Sequence, residues 1–471
     1  MDKCLRLILF ILTIIFVEIE IDAAGEIELS QITNLPTIYI YTQEGVDIKS
    51  KEEYVMSMFY YSDGSGVTRF DSVGIRGRGN STWNMPKKPY RIKFSKKDNL
   101  ILGGAKAKSW TLLANCGDKL MIRNALASEL GKFLGMEFNP GAVFVDLVIN
   151  DNYQGTYQIS DHVDVRKGRI DITEDGYFLE IGNKIAIERD EGDKPWFVTT
   201  MKDIGILVKY PEKEFVTSSQ IEYIKTYINN FEEMLFSPDY IVGEVPYHNY
   251  VDLPSLLNWY IATEISGNVD GTYSTYVYKR EYDDHLYWGP LWDFDIAWNN
   301  CFRAGDISEK LMANNGFGAT ATRIWVQRMW EDPWFAQNVN QRWKRLIDEG
   351  LRDYLLNKVD SLVEIITESR KLNYEKWDIN HRYYDELYLH NTYEEYISDL
   401  KTYIERRIEY LTTEFEKRAY TNTTAIYRYD DREKKVEPVF YNLHGRNVHS
   451  PLRKGVYIRK DNNVSKKIIV K

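Results

Sequence analysis

Three aspartates near the middle of the chain have the types and spacing that chemistry needs. Asp293 and Asp295 stand two apart in GPLWDFDIAW, so in an extended segment both carboxylates face one side. Two carboxylates at close range repel unless a cation sits between them, and oxygen ligands on short side chains suit Mg²⁺. An isolated Asp-x-Asp recurs by chance. Here Trp292, Phe294 and Trp298 flank the pair, and charge in such apolar surroundings is usually functional or paired. Asp270 lies upstream in GNVDGTYSTYVYKR, in a turn between Asn268 and Gly271.

Opposite charge comes from VGIRGRGNSTWNMPKKPYRIKF, Val73 to Phe94. Gly74, Gly77 and Gly79 let backbone amides approach a phosphate chain, while Arg76, Arg78 and Lys88 supply cations. A tight hairpin would explain the glycines without a ligand. The order along the chain is more specific: a glycine-rich basic loop among strands, then aspartates among helices. Phosphoryl transfer divides its labour in that way.

The elements that must hold these residues follow from periodicity. LPTIYIYT, YVMSMFYYSD, GVTRFDSVGIRGRG and PYRIKF read as strands. DKLMIRNALASELGKFLGM reads as a helix with a glycine near each end, and GAVFVDLVINDNYQGTYQISDHVDV as a hairpin around Asn150-Asp151-Asn152. After about Val165 the pattern becomes helical, in SSQIEYIKTYINNFEEMLF, LPSLLNWYIATEISG and TRIWVQRMWEDPWFAQNVNQRWKRLIDE, and around residues 351–372 and 391–418. YSTYVYKREYDDHLYWGPLWDFDIAW between them reads as two strands. The resulting class is α+β: a β-rich lobe over 35–165, a mainly helical lobe over 166–418 and a small β module over 420–471.

IRGRGNSTWNMPKKPYRIKF, WTLLANCGDKLMIRNALASEL, FVDLVINDNYQGTYQISDHVD, GNVDGTYSTYVYKR and GPLWDFDIAW together resemble the CotH-type spore-coat proteins, an atypical branch of the bilobal protein-kinase-like fold. The resemblance implies an ATP- and Mg²⁺-dependent kinase acting on Ser or Thr of a protein substrate. It assigns Asp270 as catalytic aspartate, Asp293 as a metal ligand and Asp295 as its neighbour. It places Arg76, Gly77, Arg78, Gly79 and Asn80 at the nucleotide. Lys88, or alternatively Lys93, would contact phosphate, paired with Glu129 or instead with Glu180. Thr275 stands where such kinases carry a metal-binding Asn, with Ser274 before it. A hydroxyl is a poorer cation ligand than an amide carbonyl, so a weakly active or inactive surface scaffold is the first alternative. A carbohydrate-active enzyme using two carboxylates is the second, although neutral sugars do not call for the basic loop.

Composition bounds the rest. The 471 residues exceed one small core, and the net charge of −10 excludes the basic footprint that nucleic acid requires. Residues 1–24 read as a secretory signal peptide: a charged start, an apolar run from Leu7 to Val17, then Ala23, Ala24 and Gly25. Its removal takes away four acids and two bases and leaves −8. No later run is long enough to span a membrane. Cys116 and Cys301 then remain, read as buried small hydrophobes rather than a bridge. The tail YNLHGRNVHSPLRKGVYIRKDNNVSKKIIVK resembles the C-terminal sorting modules of exported Bacteroidota proteins. That resemblance implies export to the periplasm, outer surface or medium.

Overall fold

The computed structural model describes residues 20–21, 27–99, 104–191, 193–314 and 321–421, with tail strands at 439–442, 447–448, 455–461 and 464–470. The expected leader, residues 1–24, lies outside them apart from the short strand Glu20–Ile21. The chain divides into two compact units, Met1–Asn422 and Thr423–Lys471.

Period-two apolar alternation in the first part produces a closed barrel of seven strands: β1 (Thr37–Thr42), β2 (Val55–Ser62), β3 (Val67–Gly77), β4 (Tyr90–Asp98), β5 (Ala107–Leu113), β6 (Ala142–Ile149) and β7 (Asn152–Asp161). Their order is β1-β2-β3-β4-β5-β7-β6, and the parallel pairing of β6 with β1, Thr37 opposite Asp146 through Ile40 opposite Ile149, closes the ring. Alternate residues such as Ile38, Ile40, Val73, Ile75, Ile92, Val145 and Leu147 fill its interior. The β6–β7 hairpin forms where expected. Asn150 (φ 47°) and Asp151 (φ 60°) make its two-residue turn, the left-handed geometry that short polar side chains tolerate. Helix α1 (Arg123–Leu134) is inserted between β5 and β6 and ends on Gly135 at φ 74°.

The second part departs from the sequence reading. It carries a five-stranded antiparallel sheet in the order β9-β10-β8-β11-β12, from β8 (Tyr177–Gly182), β9 (Trp196–Val198), β10 (Gly205–Tyr210), β11 (Ser274–Lys279) and β12 (Leu286–Trp288). The last two were legible; β8, β9 and β10 were not. Helices α2 (Ser218–Phe236), α3 (Leu253–Ser266), α4 (Ala321–Met329), α5 (Pro333–Asp348), α6 (Leu351–Ile365), α7 (Thr367–Lys376) and α8 (Tyr393–Thr421) share one large apolar core with that sheet. The stretch from Thr322 breaks into α4 and α5 because Asp332 caps a new helix, accepting from Trp334 N at 3.0 Å, with Pro333 in its first turn. The mixed α+β class holds, but the first sheet is a closed barrel and the second part is not purely helical.

The tail unit is a four-stranded antiparallel sheet of Asn447–Val448, Val439–Asn442, Gly455–Asp461 and Val464–Val470, in that order. No helix among the described residues is long and apolar enough to cross a membrane.

Candidate active site

Helix α3 begins on Asp252, whose side chain accepts from Ser255 N at 2.9 Å, and stops on Gly267 at φ 58°. The chain then turns through Asn268. Its buried side chain accepts from Asp270 N at 3.1 Å and donates to Asp293 O at 3.1 Å. One amide thus fixes the Asp270 turn against the segment that follows β12. That segment is not extended: Asp293 is left-handed at φ 65°. Phe294 N donates to Asn124 Oδ1 of α1 at 2.8 Å, and Asn300 Nδ2 donates to Asp295 O at 2.7 Å and Gly117 O at 2.9 Å.

Asp270, Asp293 and Asp295 therefore line one cavity of about 860 Å³. Among the described residues no protein group donates to the carboxylates of Asp270 or Asp293. Burial first, then the charge of Asp293, pushes Asp270 from 3.8 up to about 7, with Arg303 pulling the other way. Burial also raises Asp293, and Arg78 opposes it. Asp293 opens on the water of the cavity, yet protein encloses it on most sides, so exposure and desolvation coexist. Asp295 is held well above the carboxylate range by burial, then by Asp293 and Asp270. The same cavity is also lined by Arg78, Arg91, Lys87, Lys209 and His162.

Glu180 of β8 and Lys209 of β10 form an ion pair at 2.8 Å in the cavity wall, and Ser274 Oγ donates to the same carboxylate. Burial pushes Glu180 up, but Lys209 and Ser274 outweigh it and the net shift is downward. Lys87, buried at 2% exposure, donates to Thr156 O at 2.5 Å and Asn373 Oδ1 at 2.8 Å; burial lowers it to about 7.

Residues 75–411 match the family described as "CotH kinase protein". The chain belongs to that family. The matched span contains every residue lining the cavity, from Arg78 to Tyr384. Comparison with curated proteins gives no match.

Several residues singled out in the sequence lie elsewhere in this CotH family member. Arg78, Gly79 and Asn80 line the cavity. Arg76 does not; it lies over the Tyr54 ring at 5.1 Å and pairs with Glu52 at 3.8 Å. Gly77 is required by packing, since a Cβ there would fall 2.5 Å from the Trp83 indole. Lys88 donates to Trp83 O at 2.6 Å, and Lys93 is exposed near Tyr54, so neither enters the cavity. Glu129 instead pairs with Lys132 and Lys358, at 2.6 and 2.7 Å. Thr275 is buried; its hydroxyl donates to Gly271 O and accepts from Thr322, so it is not a cavity ligand. The register explains this: Thr275 pairs with Ile181 in the sheet, while the adjacent Ser274 faces the cavity. Cys116 and Cys301 are free thiols. Cys301 is buried, whereas Cys116 is half-buried in the cavity wall.

The residues that sequence reasoning missed here are Lys87, Arg91, His162, Lys209 and Asn268 as a positioning group. Arg91 alternates with Ile92 in PYRIKF, which already put it on the outer face of the barrel.

Proposed function

We propose that this chain is an exported phosphotransferase that moves the γ-phosphoryl of ATP to Ser or Thr hydroxyls of a protein substrate. The observation that carries the reading is the make-up of the cavity, which is lined by three aspartates together with several arginines and lysines. Asp270, unpartnered and raised to about 7, suits a base that orients and deprotonates an acceptor hydroxyl near neutral pH. Asp293 and Asp295 would hold Mg²⁺. Among the described residues no three acids, histidines or cysteines form a metal cage. A pair of carboxylates with raised affinity for protons fits a cation that takes its remaining ligands from water and phosphate. Bound there, the ion neutralises charge on the phosphate oxygens. On this reading the barrel serves as the first lobe of a kinase-like molecule and the Glu180–Lys209 pair stiffens the wall beside it.

Thr275 favours one competing reading. With its hydroxyl committed to Gly271 and Thr322, no ligand stands at that position for a second cation, which fits a slow enzyme or a nucleotide-binding scaffold. Residues 25–471 with γ-labelled ATP and Mg²⁺ separate the two. Label transfer that disappears in both Asp270→Asn and Asp293→Ala is the expected result. ATP-dependent stabilisation without transfer means a scaffold, and neither signal refutes the nucleotide reading. We read the tail sheet as the export-sorting module; deletion of residues 423–471 should then leave transfer intact and change where the protein accumulates.

A further inference from the structure

Strands β3 and β4 place Arg76 directly opposite Arg91, one step from the inward pair Ile75 and Ile92, so both arginines leave the barrel on the same outer side. Like charges opposite one another destabilise a sheet unless something compensates. Arg76 has Glu52 and the Tyr54 ring. Arg91 has no such partner. Among the described residues no carboxylate lies within ion-pair reach of its guanidinium, and its Nε, like that of Arg76, is buried without a hydrogen bond. Arg78, also in the cavity wall, lies over the face of Trp292 at 5.4 Å and has no hydrogen bond or ion pair for its guanidinium among the described residues. His162 lines the same space with no partner for its ring nitrogens among the described residues. Burial, then Arg91, Arg78, Lys209 and Arg169, hold that imidazole well below its usual range, so it is neutral and able to donate. Buried polar groups in folded proteins are nearly always satisfied. An arginine that lines a cavity among further cations, with no protein carboxylate to pair with, is a site for an anion.

Arg78 links this cluster to the aspartates, because it is the cation that feels both Asp293 and Asp295. We propose that Arg91 and His162 join Arg78 in gripping a phosphate chain that runs from Arg91 past Arg78 towards Asp293 and Asp295. The inference rests on the nucleotide reading of the cavity. It keeps Arg78, which the sequence already suggested, and gives to Arg91 and His162 the role suggested for Lys88 or Lys93.

The experiment is calorimetric titration of the full chain with inorganic tripolyphosphate, ATP and adenosine, for wild type, Arg78→Gln, Arg91→Gln, Arg91→Lys and His162→Gln. Loss of one charge-assisted contact should weaken tripolyphosphate and ATP by about tenfold or more in the two Gln variants of arginine. Adenosine, if it binds, should be unaffected. Arg91→Lys, which keeps the charge, should fall between wild type and Arg91→Gln, and guards against a folding defect. Melting temperatures should be unchanged or higher in Arg91→Gln, since a like-charge contact with Arg76 is removed. Unaltered tripolyphosphate binding in both Arg78→Gln and Arg91→Gln would overturn the proposal, as would a wild type that binds no tripolyphosphate. Tripolyphosphate binding that depends on Arg91, in a protein that transfers no label, would keep the anion site and discard the kinase reading.

Discussion

Replacing Asp270 with Asn should stabilise the ligand-free protein, and the gain should depend on pH. The carboxylate takes no protein hydrogen bond among the described residues, so the near-isosteric amide breaks none. In the unfolded chain it titrates at 3.8; in the fold, burial and Asp293 raise it to about 7. A raised acid contributes its full stability below 3.8 and loses it as pH climbs to the folded value, because ionising in the cavity costs more than in water. At 1.36 kcal/mol per pH unit the penalty is about 2 kcal/mol at about pH 5.5 and levels off near 4 kcal/mol above about pH 7. Both figures are ceilings, since Asp293 and Asp295 redistribute protons when Asp270 loses its charge. With an unfolding entropy of about 0.9 kcal/mol/K for a unit of this size, Asp270→Asn should melt about 3 °C higher at the lower pH and about 5 °C higher at about pH 8.5. Calorimetry at both pH values, without nucleotide or Mg²⁺, reads this directly. A gain that is equal at the two pH values, or a loss at the higher one, would refute the account of Asp270 as a desolvated, charge-crowded base. On the proposed reading phosphate transfer would be lost in the same variant, an exchange of stability for function.

Three further outcomes are expected. Glu264→Gln should cost about 3–5 kcal/mol in denaturant unfolding, because it strands Arg407 in a fully buried pair at 2.9 Å. Glu264 also accepts from Met312 N and Ala313 N, so hydrogen exchange at these two amides should rise first. Gly79→Ala should destabilise by about 1–2 kcal/mol and weaken ATP binding, since Gly79 sits at φ 82° and a Cβ would fall 2.1 Å from Thr82 Oγ1. Lys88→Gln and Lys93→Gln should each leave ATP affinity within about twofold of wild type, as expected for side chains outside the cavity; a tenfold loss in either would restore a lysine to the site.

Much of this fold can be read from local pattern, and the exceptions have physical causes. The strands of the barrel alternate because one face meets its core and the other does not, and the helices with one apolar stripe announce themselves in the same way. In contrast, YFLEIG and GILVKY lie inside their sheet: Gly205 to Val208 are buried in one unbroken run, and YFLEIG is buried throughout except at Glu180. A strand covered on both faces loses the period-two signature that identifies strands. Barrel closure is less local still. It depends on a parallel contact between Thr37–Ile40 and Asp146–Ile149, more than a hundred residues apart, and no turn motif connects them.

The site shows the same division between what spacing determines and what packing determines. Asp270, Asp293 and Asp295 could be named because each sits in a short polar interruption of an apolar stretch, where a carboxylate is hard to explain by packing alone. The reason they converge was not the one that spacing suggested. Asp293 is left-handed rather than extended, and Asn268 ties its carbonyl to the Asp270 turn. A non-glycine residue held at φ 65° persists only where its surroundings fix it, and here those are Asn268 on one side and Asn124 on the other. The cations of the cavity were harder to name because every lysine in MPKKPYRIKF is equally plausible as a charge. What separates them is where the chain sends each side chain: Lys87 inward to Asn373 of α7, Lys88 back onto Trp83, Lys93 outward, and Arg91 into the cavity with nothing to bind. Whether a cation finds a partner is a property of the folded environment, so the feature on which the proposed anion site rests is one that no sequence motif contains.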